Sequence, residues 1–363
     1  MAQHQVIYFP YLCFKYSPIN FGGMILWNFD KEKDGFIKDD PLKKYIQVLL
    51  ESNTSNSRPI QDIAVFSEKI PNFQYSKRKV QLAGELRLVL FLCVTAHRNT
   101  HDGENAGHFM ATSENFTHMF QNFQLGGEFT AFTSGSIVQI TSGGYKVGEI
   151  KYEKPPYVLQ GNYRMDEELF SSLKTLKRHN IKIYRRILVA SEAFMNGYYN
   201  SHEMSYDSRI LQQSRAFEVL LQLPEQGQRK DFKGKIKQYC LPRDKQYQKR
   251  FRYLSERSGG RKEPETEMKI VMWADKFYTL RNRIIHGDNI KSQDYLFNDQ
   301  RHWDISLWVY LLLIKKIINE GLGREIFYDE VLWKKEKFVY ENGSLYKVIL
   351  NSLNKYKNKL ATV

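Results

Sequence analysis

Leu280-Arg281-Asn282-Arg283-Ile284-Ile285-His286-Gly287-Asp288 closes the clearest helical pattern in this chain of 363 residues. Upstream, Ile270, Val271, Ala274, Phe277, Tyr278, Ile284 and Ile285 recur at helical spacing. Pro264 suits a first turn, and Gly287 suits a left-handed stop. Arg281 departs from what a core helix needs, because it falls on the apolar stripe, seven after Ala274 and four after Phe277. A guanidinium keeps its charge, so there it requires an anionic partner or an exit to solvent. Glu218, on another mostly apolar stretch, is the candidate partner. His286 falls at the last turn, beside the negative end of the helix. Five residues along an ideal helix set it about 140° around the axis from Arg281. Gly287 lets the chain turn, so the imidazole can swing back toward the guanidinium. Such a pair suits phosphoryl transfer, one group stabilising charge and the other moving protons.

Helical patterns extend on both sides of this stretch. Asp166-Glu167-Glu168 opens a segment that closes on Lys177-Arg178, acids first and bases last as the helix dipole prefers. Ile181 to Met195 is a second. A third, capped by Asp207 or Ser208, carries Ile210, Leu211, Phe217, Leu220 and Leu221 toward a core before Pro224 stops it. Asp231 to Tyr239 and Gln246 to Leu254 are shorter candidates. Beyond the motif, Asp304 is expected to cap Ile305 to Asn319, closed by Lys315, Lys316 and Gly321. A helix that is apolar all round belongs inside a bundle or at a subunit interface. Leu345 to Leu360 is a basic amphipathic tail.

The opposite end of the chain reads as strand. Val6 to Phe9 and Met24 to Trp27 are short β-type runs, and Phe129 to Tyr152 has the apolar spacing and glycine turns of a meander. Leu86 to Ala96 fits a buried strand or a buried helix equally well. Asn99 to Glu104 reads as a polar loop. Lys154-Pro155-Pro156 marks an extended junction. The expected fold is α+β: a β-rich module over residues 1–155, an antiparallel helical bundle over 160–335, and the basic tail over 336–363.

Hydrophobic residues at 42% and aromatics at 14% supply a sizeable core and rule out a disordered chain. No continuous apolar run reaches the length of a membrane span, Leu86–Ala96 and Ile305–Ile318 being the longest candidates. The N-terminus lacks the layout of a secretion signal, and Cys13, Cys93 and Cys240 are scattered and odd in number. These features predict a cytoplasmic protein with no membrane partner. The net charge of +14 is unevenly spread: residues 1–160 hold 16 basic and 15 acidic side chains, residues 161–363 hold 38 and 25. Arg229 to Lys262 alone has 13 basic against 3 acidic residues, interleaved with Phe232, Tyr239, Tyr247, Phe251 and Tyr253. Such a stretch suits a phosphate backbone with unstacked bases, and it equally suits a solvated helix pair with its aromatics in the core.

Arg281-Asn282-x-x-x-His286 resembles the Arg, polar residue, then His signature of HEPN domains, in particular their ApeA-like branch. Arg215-Ala216-Phe217-Glu218-Val219-Leu220-Leu221 on an earlier helix, and the apolar helix from Ile305, fit the same layout over residues 165–330. Tyr8-Phe9-Pro10 is also similar to ApeA-like proteins. The resemblance implies a metal-independent endoribonuclease without cofactors, acting as a toxin or an effector of antiviral, abortive-infection defence. It also implies a homodimer whose motif helices meet at one cleft, with a phage trigger or an antitoxin as a further partner. His286 would be the general acid/base, Arg281 would stabilise the phosphorane, and Asn282 would orient the imidazole or a phosphate oxygen. Lys233, Lys235, Lys237, Lys249, Arg250, Arg252 and Arg283 would contact the RNA substrate. The alternative is a non-catalytic HEPN module that binds RNA or protein in a defence complex.

Other constellations carry less. His97, His101, His108 and His118 crowd one stretch, and His97-x-x-x-His101 could ligate zinc on a helix, with Asp102 or Glu104 adding a carboxylate. The loop reading of residues 99–104 argues against this, and no metal is expected. Arg98-Asn99-Thr100-His101 mimics the motif at the wrong spacing, outside any expected helix. Gly126-Gly127 and Gly143-Gly144 fit β-turns rather than a phosphate loop. No helix-turn-helix pattern supports a DNA-directed regulator.

Overall fold

The computed structural model describes residues 3–9, 11–14, 19–28, 53–55, 58–59, 64–70, 77–101, 113–124, 131–134, 137–140, 152–153, 161–198, 204–240, 269–297 and 300–327. The chain divides into two compact units. The first comprises Met1–Arg98, Asn105–Phe170 and Tyr199–Ser201; the second comprises Asn99–Glu104, Ser171–Tyr198 and His202–Val363. The first thus runs past the expected junction at residues 154–156, which lie outside the described residues, as do Gln246–Leu254, Pro264 and the tail from 345.

In the first unit, β1 (Gln3–Phe9) is flanked antiparallel by β7 (Ala64–Ile70) and β8 (Met119–Gln124), with Val6 opposite Ser67 and Gln121. With β3 (Ile19–Phe21), β4 (Met24–Asn28), β9 (Ala131–Ser134) and β10 (Ile137–Ile140) they form a seven-stranded sheet ordered β10-β9-β8-β1-β7-β4-β3. The shorter β2 (Leu12–Phe14), β5 (Asn53–Ser55), β6 (Arg58–Pro59), β11 (Tyr152–Glu153) and β12 (Gly161–Tyr163) pair in two small sheets, β11-β5-β6 and β12-β2. The strand readings at Val6 and Met24 hold, and the expected meander supplies β9 and β10.

Leu86 to Ala96 is helical, within α1 (Lys77–His101). Its residues from Leu88 to Val94 are all buried, so helix and strand periodicities are equally erased there. The loop expected from Asn99 is corrected as well: α1 continues to His101, so Arg98 to His101 lie on a helix. Among the described residues, the window Val80–His97 is long and apolar enough by composition to cross a membrane, although Glu85 and Arg87 interrupt it. More than half of that window is buried inside the protein, as in a core helix.

Helix α2 (Glu167–His179) starts in the first unit and continues into the second, whose further helices among the described residues are α3 (Ile181–Gly197), α4 (Tyr206–Leu221), α5 (Gln228–Cys240), α6 (Lys269–Ile285) and α7 (His302–Leu322). Asp166 caps α2 by accepting from the Leu169 amide at 2.9 Å. Ser205, not Asp207 or Ser208, caps α4 by accepting from the Ser208 amide at 3.2 Å. Asp207 instead accepts a hydrogen bond from the Tyr295 hydroxyl. Helix α7 begins two residues before Asp304 and ends beyond Gly321, at left-handed Gly323 (φ 63°). Lys315 is therefore buried in mid-helix, with its ammonium 5.3 Å from the Phe327 ring centre.

Direction follows from the contacts. Arg186 on α3 bonds Gln222 just past α4, while an added Cβ on Gly197 would lie 3.0 Å from the Arg209 carbonyl, so α3 and α4 are antiparallel. Helix α7 runs in the same direction as α4: Arg209 lies against Trp303, Gln213 accepts from Ser306, and Phe217 meets Tyr310. Phe217 is the hub, its ring 5.2–6.2 Å from those of Phe194, Phe232, Trp273, Phe277 and Tyr310. The Tyr310 hydroxyl lies 3.1 Å from Ser191 Oγ, which satisfies the polar atom of that buried ring.

Two groups at the start of α7 titrate in opposite senses. Burial holds His302 down to about 4, and burial pushes Asp304 up to about 6 against the pull of Arg301 and Arg209. A histidine neutral when folded loses stability as pH falls from 6.5 toward about 4. An aspartic acid protonated when folded loses it as pH rises from about 4 toward about 6. Over that window the two nearly cancel. Urea unfolding of His302→Gln should show its stability relative to wild type rising by roughly 3 kcal/mol between pH 6.5 and 4. Asp304→Asn should show its relative stability falling over the same interval.

Candidate functional site

The site forms where α6 ends. His286 N–H donates to the Asn282 carbonyl at 3.0 Å, Gly287 N–H to Ile284 at 3.1 Å, and Asp288 N–H to Arg283 at 3.0 Å. Gly287, at φ 74°, makes this left-handed closure available, as its position in the sequence requires. His286 is left exposed at the turn.

Arg281 has the partner its place on the apolar stripe demands. Its Nη2 lies 3.0 Å from Glu218 Oε1 on α4, both side chains about one-fifth exposed. The Tyr278 hydroxyl lies 2.7 Å from the same carboxylate oxygen and 2.9 Å from Gln228 Oε1. With one proton it donates to one of them; a Gln228 amide turned nitrogen-first satisfies both contacts. Burial, then the Glu218 hydrogen bond and charge, hold the Tyr278 phenol well above its usual range. The Arg281 guanidinium carbon lies 5.2 Å from the Tyr278 ring centre, a cation–π contact. Arg281 Nη1 donates to Asn282 Oδ1 at 3.0 Å, and its buried Nε has no partner among the described residues. Asn282 thus orients the arginine directly.

Arg281, Asn282 and His286 line one cleft of about 630 Å³. That volume falls in the range of small-ligand pockets, about 300–1,000 Å³. Tyr278 and Asp275 complete the α6 side, while Glu225, Gly227, Gln228, Arg229, Lys230 and Lys233 form the α5 side. Arg229 bridges the two walls, donating from Nε and Nη2 to the Asp275 carboxylate at 2.9 and 2.7 Å. This hydrogen-bonded pairing holds the Asp275 carboxyl below, and the Arg229 guanidinium above, their ordinary ranges. Four cations (Arg229, Lys230, Lys233, Arg281) thus line the cleft with two anions (Glu225, Asp275).

Of the residues expected to contact RNA, Lys233 is in the cleft. The Lys235 ammonium lies 6.0 Å from the Tyr239 ring centre, and Lys237 is exposed. Arg283 sits outside the cleft lining, in ion pairs with Asp294 at 3.0 Å and Asp288 at 3.6 Å that brace the loop after α6. Lys249, Arg250 and Arg252 lie outside the described residues. Sequence reasoning passed over Asp275 and Arg229 as site residues. The spacing of Asp275, Tyr278 and Asn282 at i, i+3 and i+7 was the available signal.

Of the histidine stretch, His97 and His118 belong to the first unit, and neither is among the residues that line the cleft. His97 lies on α1, and His118 lies 5.8 Å from the Phe9 ring, held down to about 4 by burial and then by Arg87. The side chains of His101 and His108 are outside the described set. Among the described residues, no three His, Cys, Asp or Glu side chains are grouped to hold a metal.

Compared with known proteins, the chain matches no family model, no curated protein and no solved structure.

Two glycines separate backbone strain from packing, since an added Cβ meets open space at both. Gly287→Ala should cost about 1–2 kcal/mol for the left-handed conformation. Gly234→Ala, in the interior of α5, should gain about 0.4–1 kcal/mol. Urea midpoints for the two variants should move in opposite directions.

Proposed function

We propose that this chain is a metal-independent endoribonuclease of HEPN type. The observation that supports the reading most is the meeting of Arg281, Asn282 and His286 at one basic cleft. In this mechanism the ribose 2′-hydroxyl attacks its own phosphate, so the 2′-oxygen–phosphorus bond forms as the phosphorus–5′-oxygen bond breaks. His286 takes the 2′ proton or supplies one to the leaving 5′-oxygen. Arg281 stabilises the equatorial oxygens of the phosphorane through N–H groups not engaged by Glu218 or Asn282. The products are a 2′,3′-cyclic phosphate and a 5′-hydroxyl.

One imidazole per chain serves both proton transfers only in turn, so two copies sharing a cleft suit the chemistry, and a homodimer through the motif helices is part of the proposal. An effector or toxin role in antiviral defence, in the cytoplasm, follows the resemblance of the motif.

A second reading, a non-catalytic RNA-binding module, draws on the engagement of Arg281 by Glu218, which offsets the charge a phosphate would meet. The two readings separate on RNA ends. The nuclease yields a cyclic phosphate in the presence of EDTA, and His286→Ala and Arg281→Ala each lower cleavage by at least a hundredfold. The binding module leaves RNA intact in wild type and variants. Undiminished cleavage by both variants discards the site assignment, and loss of cleavage with EDTA discards metal independence.

A further inference from the structure

Tyr278 lines the cleft and carries a titratable group that the proposed chemistry does not use. Its ring is buried, 5.3 Å from that of Phe232. It stands three residues before Arg281 on α6, so the guanidinium comes to rest 5.2 Å from the ring centre. The hydroxyl could act in this cleft as an acid, as a base, or by holding another group in place. Burial, then the Glu218 hydrogen bond and charge, hold the phenol well above its usual range, so it keeps its proton and suits neither of the first two roles. Holding remains.

What it holds is Glu218. The Tyr278 hydroxyl and Arg281 Nη2 meet the same carboxylate oxygen, Oε1, at 2.7 and 3.0 Å. A carboxylate facing a guanidinium favours a two-pronged fork, the arrangement that Asp275 makes with Arg229 in this same cleft. Glu218 meets Arg281 instead as an ion pair at the oxygen that the phenol shares, while Arg281 Nη1 is turned to Asn282 Oδ1 at 3.0 Å. A closed fork would occupy the N–H groups that a phosphate needs, because phosphate oxygens also engage a guanidinium best in pairs. Resting on the nuclease reading above, we propose that Tyr278 is a positioning residue for Arg281, its hydroxyl keeping Glu218 from closing a fork on the guanidinium and so leaving N–H groups for the phosphorane. Tyr278 itself touches no reacting atom. Gln228, 2.9 Å from the hydroxyl, extends the same chain of contacts to the first turn of α5.

The test compares kcat and KM of the full chain, Tyr278→Phe and Tyr278→Phe/Glu218→Gln on a mixed-sequence single-stranded RNA oligonucleotide, with urea unfolding of each. Tyr278→Phe keeps the ring against Phe232 and Arg281, so it should fold, with Glu218 free to close its fork. Its kcat should fall about tenfold with KM within about twofold of wild type, the pattern of an interaction made in the transition state. A carboxamide in place of the Glu218 carboxylate makes no charged fork, so the double variant should recover at least about threefold in kcat over Tyr278→Phe. A merely structural tyrosine predicts the opposite, because removing a second partner from the same cluster adds to the damage. Unchanged kcat in Tyr278→Phe, its failure to fold, or a double variant no faster than Tyr278→Phe overturns the positioning role while leaving the nuclease standing. Wild type that cuts no RNA overturns the nuclease reading, and the role of Tyr278 with it.

Discussion

The ion pair between Arg281 and Glu218 is the constraint on which the arrangement of the second unit turns. Both residues stand on helices that otherwise bury apolar side chains, α6 and α4, and neither charge could remain there alone without a large desolvation cost. Paired, they fix the rotation of the two helices about their own axes. Tyr278 reinforces this by bonding the same carboxylate while lying under the guanidinium. The polar cluster borders the aromatic core: the Tyr278 ring lies 5.3 Å from that of Phe232, which packs on Phe217, the residue immediately before Glu218. One helix face therefore supplies the packing and the next supplies the chemistry.

The brace between Arg229 and Asp275 plays a complementary part. It ties the first turn of α5 to the middle of α6, so the two walls of the cleft are set by one bidentate contact. Both side chains are substantially exposed, so the pair contributes more to geometry than to stability. Beyond α6, Arg283 and the acids it binds hold the loop that Gly287 begins. His286 thus lies between two anchored segments while its own side chain stays accessible.

What could be read from the amino-acid sequence alone follows the strength of each local signal. The α6 pattern, the Gly287 stop and the need of Arg281 for Glu218 were legible, because a charge on an apolar stripe and a glycine after a helix each have few physical solutions. Helix boundaries were less so. Ser205 and Asp207 are both good caps by type, and Tyr295, distant in sequence, engages Asp207. Gly321 and Gly323 compete in the same way, and Gly323 takes the left-handed position. Helix α1 was ambiguous because complete burial removes the contrast between faces. The α5 wall of the cleft was hidden inside a long basic stretch, where composition marks a region without showing which of its side chains reach α6.

The account stands on the 2′-hydroxyl as the attacking group. The most direct measurement uses an RNA oligonucleotide with one 2′-deoxyribose placed on the 5′ side of a linkage that the wild-type protein cuts. Cleavage at that linkage should vanish while neighbouring linkages are still cut, because the nucleophile is missing only there. Continued cutting at the deoxy-substituted linkage would contradict the mechanism and the roles assigned to Arg281 and His286.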